Sequence, residues 1–145
     1  MDKQYICYCG IYCENCAVKA KIDPAAKLLY REMKLAGFEE IIDFIPGGAG
    51  FWPFLKDMAE NGTCVSCREG SGNPGCAIRI CAQEKGVEMC AAECKDYPCR
   101  HFEEFYCGHP FMKKDNDLLR EKGREAWSKL QDERMSEGFV YRAEK

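Results

Sequence analysis

The chain has 145 residues and a formal net charge of −3, and 12 of its residues are Cys while only 2 are His. The length fits one domain, the 46% of apolar residues argues against global disorder, and no apolar run is long enough to span a membrane. The first seven residues lack the apolar segment of a signal peptide, so we expect a cytoplasmic protein. In the reducing cytosol, clustered Cys bind metal or carry out redox chemistry more often than they form disulfides.

The charge also limits the class of partner. A zinc ion held by four thiolates carries a net charge of −2, so two such sites would bring the chain to about −7. Nucleic-acid binding needs a basic surface, and the composition argues against it. We expect a protein or a small molecule as partner, of a kind that the sequence does not specify, and no membrane.

The Cys residues divide the chain into four stretches. Residues 1–22 and 63–108 contain four and eight Cys, whereas residues 23–62 and 109–145 contain none. We find no internal repeat. We therefore predict a single metal-stabilised domain over 1–145, mainly α, with irregular metal-bound loops and little sheet.

The Cys-free stretch at 23–62 predicts three helices. Asp23 is a suitable cap for the first helix, Pro24 suits its first turn and Gly37 ends it. Its apolar residues recur at helical spacing, and so do those of a second, shorter helix over 38–45. The apolar residues of the first helix are Ala25, Leu28, Leu29, Met33 and Ala36, and those of the second are Phe38, Ile41, Ile42 and Ile45.

A glycine-rich segment precedes the third helix. Residues 47–50 predict a flexible loop between helices, and the third helix follows and ends at Asn61-Gly62. Phe51 and Phe54 are expected to pack in the core.

The charged tail predicts one long helix. Asp115 or Asn116 would cap it and Gly138 would end it. Its apolar positions are Leu119, Ala126, Trp127 and Leu130, and the segment Phe139-Val140-Tyr141 suits a short strand or packing onto the body.

Ten Cys have the compact spacing of metal ligands. The pairs Cys13/Cys16 and Cys64/Cys67 are C-x2-C zinc knuckles, in which both sulfurs turn to one side. Tetrahedral zinc takes four thiolates at about 2.3 Å, so we predict two zinc ions, each held mainly by four thiolates. The predicted ligands are Cys9, Cys13, Cys16, Cys64, Cys67, Cys76, Cys81, Cys90, Cys94 and Cys99.

The metal and the grouping of its ligands are left open by the spacing. Iron–sulfur clusters also use four thiolates, but no run matches the ferredoxin pattern C-x2-C-x2-C. The four Cys between 64 and 81 could form one site, and the three between 9 and 16 would then take a fourth ligand from 90–99. Crossed pairings are equally allowed.

Other residues near these clusters have two interpretations each. Cys7 and Cys107 lie outside the clusters and are interpreted as small apolar core residues, although either, like His101, could ligate. Arg68 and Arg79 either hydrogen-bond to ligand sulfurs or are solvated.

Seven segments match a known pattern: 9–16, 64–67, 76–82, 85–86, 94–99, 123–127 and 131–134. The most specific are C-A-I-R-I-C-A at 76–82 and C-K-D-Y-P-C at 94–99. In these segments the chain resembles the cysteine-rich family DUF3795, whose function is unknown. The resemblance implies a cytoplasmic, metal-binding small domain and brings no established activity. The chain departs from the family pattern in having three residues, rather than two, between Cys90 and Cys94.

These observations predict a zinc-binding protein whose structural Cys sites support an interaction module. The alternative is an iron–sulfur or thiol-based protein that acts as a redox or metal sensor or as an electron carrier. An enzyme is disfavoured, because no local motif supplies a nucleophile with a general base and because all-Cys zinc sites are usually closed.

Overall fold

The computed structural model describes residues 3–141, and these are mainly helical, as predicted. Within that range, isolated bridges join Ile6 to Tyr12 and Cys16 to Tyr141. No helix in the described part of the chain has both the length and the apolar composition needed to cross a membrane. The helices are α1 (Asp23–Leu35), α2 (Phe38–Ile41), α3 (Gly48–Asn61), α4 (Ala77–Glu84), α5 (Cys90–Glu93), α6 (Arg100–Gly108) and α7 (Phe111–Ser136).

The chain divides into two compact units, which we describe separately. The insert unit is Ala17–Cys64, and the Cys-rich unit is Met1–Cys16 with Val65–Lys145, described here up to Tyr141. The bounds of the insert unit lie close to those of the Cys-free stretch at 23–62. The prediction of one domain over 1–145 stays a prediction.

The insert unit contains the three predicted helical segments. Pro24 lies in the first turn of α1, and Gly37 follows the helix with a φ of 75°, a left-handed conformation that favours glycine. Helices α1 and α3 pack together, and the rings of Tyr30 and Trp52 lie 5.0 Å apart. The Asp23 carboxylate accepts hydrogen bonds from the backbone N–H (3.0 Å) and hydroxyl (2.6 Å) of Thr63.

Three predictions for the insert unit are wrong. Asp23 does not cap α1: it is the first residue of that helix, a π-helical turn over Val18–Ile22 leads into it, and its carboxylate binds Thr63 instead. Gly48 begins α3, so residues 48–50 are helical rather than loop; a Cβ at Gly48 would collide with the backbone carbonyl of Ile42, and this close approach explains the glycine. Phe51 and Phe54 are 40% and 62% exposed, because α3 turns Leu55 and Ala59 inward instead.

The Cys-rich unit contains a core of large apolar side chains. Five of them are almost completely buried where the N-terminal loop, residues 6–16, meets the segments from α4 to α7. They are Trp127, Phe102, Leu119, Met89 and Ile6. Burying a side chain of this size stabilises the fold by about 1.5–3 kcal/mol. This core positions the Cys segments described below.

Helix α7 differs from the predicted tail helix at its start. It begins at Phe111 and bends at Gly123, where φ is 81° and ψ is 179°. Asp115 and Asn116 lie inside it and are buried, so the prediction that either caps the helix is wrong. Asp115 pairs with Arg134, beyond the Gly123 bend of the same helix, and the Asn116 amide nitrogen donates to the Cys9 carbonyl. Gly138, with a φ of 72°, follows the helix end as predicted.

Candidate metal centre

The N-terminal loop brings two thiols together. The backbone N–H of Cys7 donates to the carbonyl of Ile11 (2.8 Å), and that of Gly10 donates to the carbonyl of Cys7 (3.0 Å). This tight turn reverses the chain between Cys7 and Cys13, whose Sγ atoms lie 3.6 Å apart. Both residues are buried.

Cys67 reaches this loop from the second Cys-rich segment. Its neighbour Arg68 donates from Nε to the carbonyl of Ile6 (2.7 Å) and stacks on the Tyr8 ring at 4.6 Å. The backbone N–H of Tyr8 in turn hydrogen-bonds to the Cys67 sulfur. Backbone and side-chain bonds therefore both hold Cys67 against the loop.

Four thiols, which we call the N-terminal thiol group, interact here: Cys7, Cys9, Cys13 and Cys67. Hydrogen bonding of the single Cys7 S–H among the sulfurs of Cys13, Cys67 and Cys9, together with burial, raises the pKa of the Cys7 thiol. The same bond from Cys7, with the Tyr8 amide and two Arg side chains, lowers the pKa of Cys67 to about 6. The group therefore favours negative charge on Cys67.

One of those two Arg side chains is buried. The Arg79 guanidinium donates to the carbonyls of Cys67 (3.3 Å), Ser71 (2.8 Å) and Asn73 (2.9 Å). Arg79 is thus not a solvated surface residue: it closes the loop that carries Cys67 and places a positive charge beside that thiol.

A second set of four thiols lines a cavity of about 20 Å³, room for a single water-sized guest. Cys81 lies in α4, Cys90 begins α5, and Cys94 and Cys99 flank the turn that leads into α6. We call these four the cavity thiol group. The cavity is completed by Ile78, Ala82, Lys85, Val87, Tyr97, His101 and Phe102.

The cavity thiol group is strongly desolvated. Burial, followed by the neighbouring thiols Cys94, Cys9, Cys81 and Cys99, raises the pKa of Cys90 to about 12. Without a cation, Cys90 therefore favours the neutral thiol.

Helix α7 holds both groups in place. The Asn116 amide donates to the carbonyl of Cys9 (2.9 Å) and to the Tyr106 hydroxyl (2.9 Å). Arg120 donates to the carbonyls of Ala91 (3.3 Å) and Cys94 (3.4 Å). Sequence reasoning missed Asn116, since it interpreted the residue as a helix cap, and no signal in the local sequence marks this long-range contact.

The N-terminal loop is anchored to α7 a second time. The buried Asn15 amide donates to Gln131 Oε1 (3.0 Å), which also accepts the Tyr141 hydroxyl (2.7 Å). Asp115, itself buried, pairs with Arg134 and accepts from Gln131 Nε2 (3.3 Å). A series of hydrogen-bonded polar side chains thus fixes the end of the N-terminal loop.

Seven of the ten predicted ligands fall in the two groups. They are Cys9, Cys13, Cys67, Cys81, Cys90, Cys94 and Cys99. Cys67 and Cys81 belong to different groups, whereas the sequence allowed the four Cys between 64 and 81 to form one site. Cys16 pairs with Tyr141 in a bridge, Cys76 precedes α4, and Cys64 belongs to the insert unit. The interactions described above include none of these three.

The remaining candidate ligands differ in their surroundings. Cys7 is buried as predicted, but its neighbours are thiols. Cys107 is exposed, so its assignment to the core is wrong; its sulfur donates to the Glu103 carbonyl at 3.3 Å, within α6. His101 lines the cavity.

The donor chemistry of the two groups fits zinc. Within residues 3–141, no three His, Cys, Asp or Glu side chains stand as placed in an arrangement that holds a metal ion. Each group nevertheless offers four thiols, the preferred donors of structural zinc. Bonds of about 2.3 Å give a ZnS4 tetrahedron an edge of about 3.8 Å, close to the 3.6 Å between the sulfurs of Cys7 and Cys13. Zinc there would supply a redox-inert cross-link.

Comparison with known proteins gives one positive result. Neither a search of curated proteins nor one of solved structures finds a match. The model of the family described as "Protein of unknown function (DUF3795)" matches residues 5–104, which contain every member of both thiol groups. The chain therefore belongs to the DUF3795 family.

Proposed function

We propose that this chain is a zinc-binding protein whose Cys-ligated sites are structural and support an interaction module. One observation carries the proposal: four thiols from three successive segments line one small cavity in the core of the Cys-rich unit. Cys81, Cys90, Cys94 and Cys99 would hold one ion there. The N-terminal Cys would hold the second.

The architecture supports a structural role for these ions. Four-thiolate zinc sites are usually closed, and a cavity of about 20 Å³ has no room for a substrate. An ion in the cavity would join α4, α5 and the start of α6, segments that are otherwise linked by loops. Metal cross-links of this kind stabilise small domains whose cores are limited by size.

The insert unit supports the interaction part of the proposal. Leu29, Phe51 and Phe54 are exposed and line one apolar groove between α1 and α3. Apolar side chains that cluster on a surface mark sites of interaction with other molecules. Together with the net charge of −3, they favour a protein partner over a nucleic acid.

Metal analysis of protein purified anaerobically, without added metal, tests the zinc part. We expect two zinc ions per chain and no visible absorption band. Cys94→Ser should lower the zinc content to about one, because it removes a cavity ligand, whereas the exposed Cys107→Ser should leave it at two. Iron with a broad visible band would contradict the proposal.

The distance between Cys7 and Cys13 favours a second candidate, a thiol-based redox sensor. Their sulfurs lie 3.6 Å apart, so hydrogen peroxide could accept two electrons and two protons from the pair, giving a disulfide and water. Mass spectrometry would then find a loss of about 2 Da, with Cys7 and Cys13 in one cross-linked peptide. Two thiols that stay free under mild peroxide would exclude this role.

A further inference from the structure

The N-terminal thiol group contains one member that the ligand spacing does not include. We propose that Cys7 is a metal ligand and completes a four-thiolate site with Cys9, Cys13 and Cys67. The inference rests on the proposed zinc binding and adds a ligand to it.

The first argument is the position of the Cys7 sulfur. Its neighbours are the sulfurs of Cys13, Cys67 and Cys9, and the one at Cys13 lies 3.6 Å away. Bonds of about 2.3 Å to one zinc ion need a separation of about 3.8 Å, so Cys7 and Cys13 have the spacing of two ligands of one ion. A buried Cys whose role was packing would instead be surrounded by apolar side chains.

The second argument is the polar shell around the group. The Tyr8 N–H donates to the Cys67 sulfur, as backbone amides do to thiolates in zinc knuckles. Arg68 and Arg79 place two positive charges near the same thiol. A zinc ion with four thiolates has a net charge of −2, which these two cations would offset.

The third argument concerns Cys16, the ligand that the C-x2-C spacing would pair with Cys13. The chain turns through Cys13–Asn15, and Cys16 leaves in an extended conformation, bridged to Tyr141. The buried Asn15 side chain holds this arrangement through Gln131. The turn thus leads the chain away from the loop, and Cys7 occupies the fourth place.

The chemistry needs no redox partner. Each sulfur that is still protonated transfers its proton to the buffer, and each of the four thiolates donates a lone pair to the ion, which remains Zn²⁺. No disulfide forms, and no electron leaves the protein.

Zinc content and the spectrum of the cobalt-substituted protein test the inference. In Cys7→Ser we expect zinc to fall from two to about one per chain, and the cobalt–thiolate charge-transfer absorbance to fall by about half. Cys107→Ser, which also removes one thiol, should retain two ions and the full absorbance. Two ions and an unchanged cobalt spectrum in Cys7→Ser would overturn the inference and leave the proposed function intact.

A measurement on the unmodified chain covers the case in which Cys7→Ser does not fold. In protein loaded with 113Cd, we expect a scalar coupling between cadmium and the Hβ protons of Cys7. Cadmium coupled to eight other Cys, or a Cys7–Cys13 disulfide in anaerobically purified protein, would overturn the inference. A chain that binds no metal would overturn the proposed function as well, so the two failures differ.

Discussion

The two units use their apolar residues in different ways. The Cys-rich unit buries large side chains almost completely, among them Trp127, Phe102 and Leu119. The insert unit forms helices with clear start and stop signals but leaves Phe44 and Phe54 largely exposed. Strong local signals therefore do not ensure burial, whereas the unit with the weaker local signals, rich in loops and Cys, has the larger core.

Each unit contains one of the two Trp residues of the chain. Trp52 lies in α3 of the insert unit and Trp127 in α7 of the Cys-rich unit. Trp52→Phe leaves a reporter in the Cys-rich unit alone, and Trp127→Phe leaves one in the insert unit alone. The stability of the two units can thus be compared in one chain.

Metal removal should produce the largest difference between the units. A structural zinc site contributes on the order of 10 kcal/mol to folding, and both thiol groups lie in the Cys-rich unit. In Trp52→Phe we expect a strong chelator to shift the Trp127 emission to the red. In Trp127→Phe the Trp52 emission should change much less.

Re-addition of zinc controls for irreversible loss and should restore the Trp127 emission. Equal red shifts of both reporters would show that the units unfold together, and the comparison between them would then fail.

Trp127→Ala should cause the next largest change. The side chain is fully buried and meets the Tyr12 ring edge-on at 6.3 Å, so its removal leaves a large cavity. We expect a loss of about 4 kcal/mol in the free energy of unfolding, measured by urea denaturation and circular dichroism. A loss below about 1 kcal/mol would mean that the core does not determine the stability of the Cys-rich unit.

Gly10→Ala probes the contact between the N-terminal loop and α7. Gly10 has a φ of 89°, and a Cβ there would collide with Oδ1 of Asn116, whose Nδ2 donates to the Cys9 carbonyl. We expect a loss of about 3 kcal/mol from backbone strain and overpacking.

Gly50→Ala is the matched control for Gly10→Ala. Gly50 lies in the first turn of α3, with nothing near the position of a Cβ, so its substitution should be neutral or slightly stabilising. Similar losses in the two variants would argue against the Asn116 contact.

Two neighbouring residues of α3 give the smallest and most local comparison. Leu55 is buried and Phe54 is 62% exposed. We expect Leu55→Ala to cost about 3 kcal/mol in thermal or urea unfolding, and Phe54→Ala at most about 0.5 kcal/mol. A large loss in Phe54→Ala would show that its ring is covered in solution.

Local signals in the sequence predicted the helices well. Pro24 in the first turn of α1, the Gly37 and Gly138 ends and the apolar spacing all act over a few residues, so they can be recognised without the fold. The same holds for the Cys clusters, whose short spacings bring thiols within reach of one another. The sequence alone thus determined the helical class and the Cys-rich character of the chain.

The tertiary structure decided which residues share a site. Cys7 joins Cys67 across some sixty residues of chain, and Cys81 meets Cys90, Cys94 and Cys99 around a cavity whose walls come from separate helices. It also decided that Asp115 and Asn116 are buried rather than capping: Asp115 pairs with Arg134, and the Asn116 amide nitrogen donates to the distant Cys9 carbonyl. Sequence spacing indicates which side chains lie close together only within a turn or two. Contacts between residues farther apart in the chain are set by how distant segments pack.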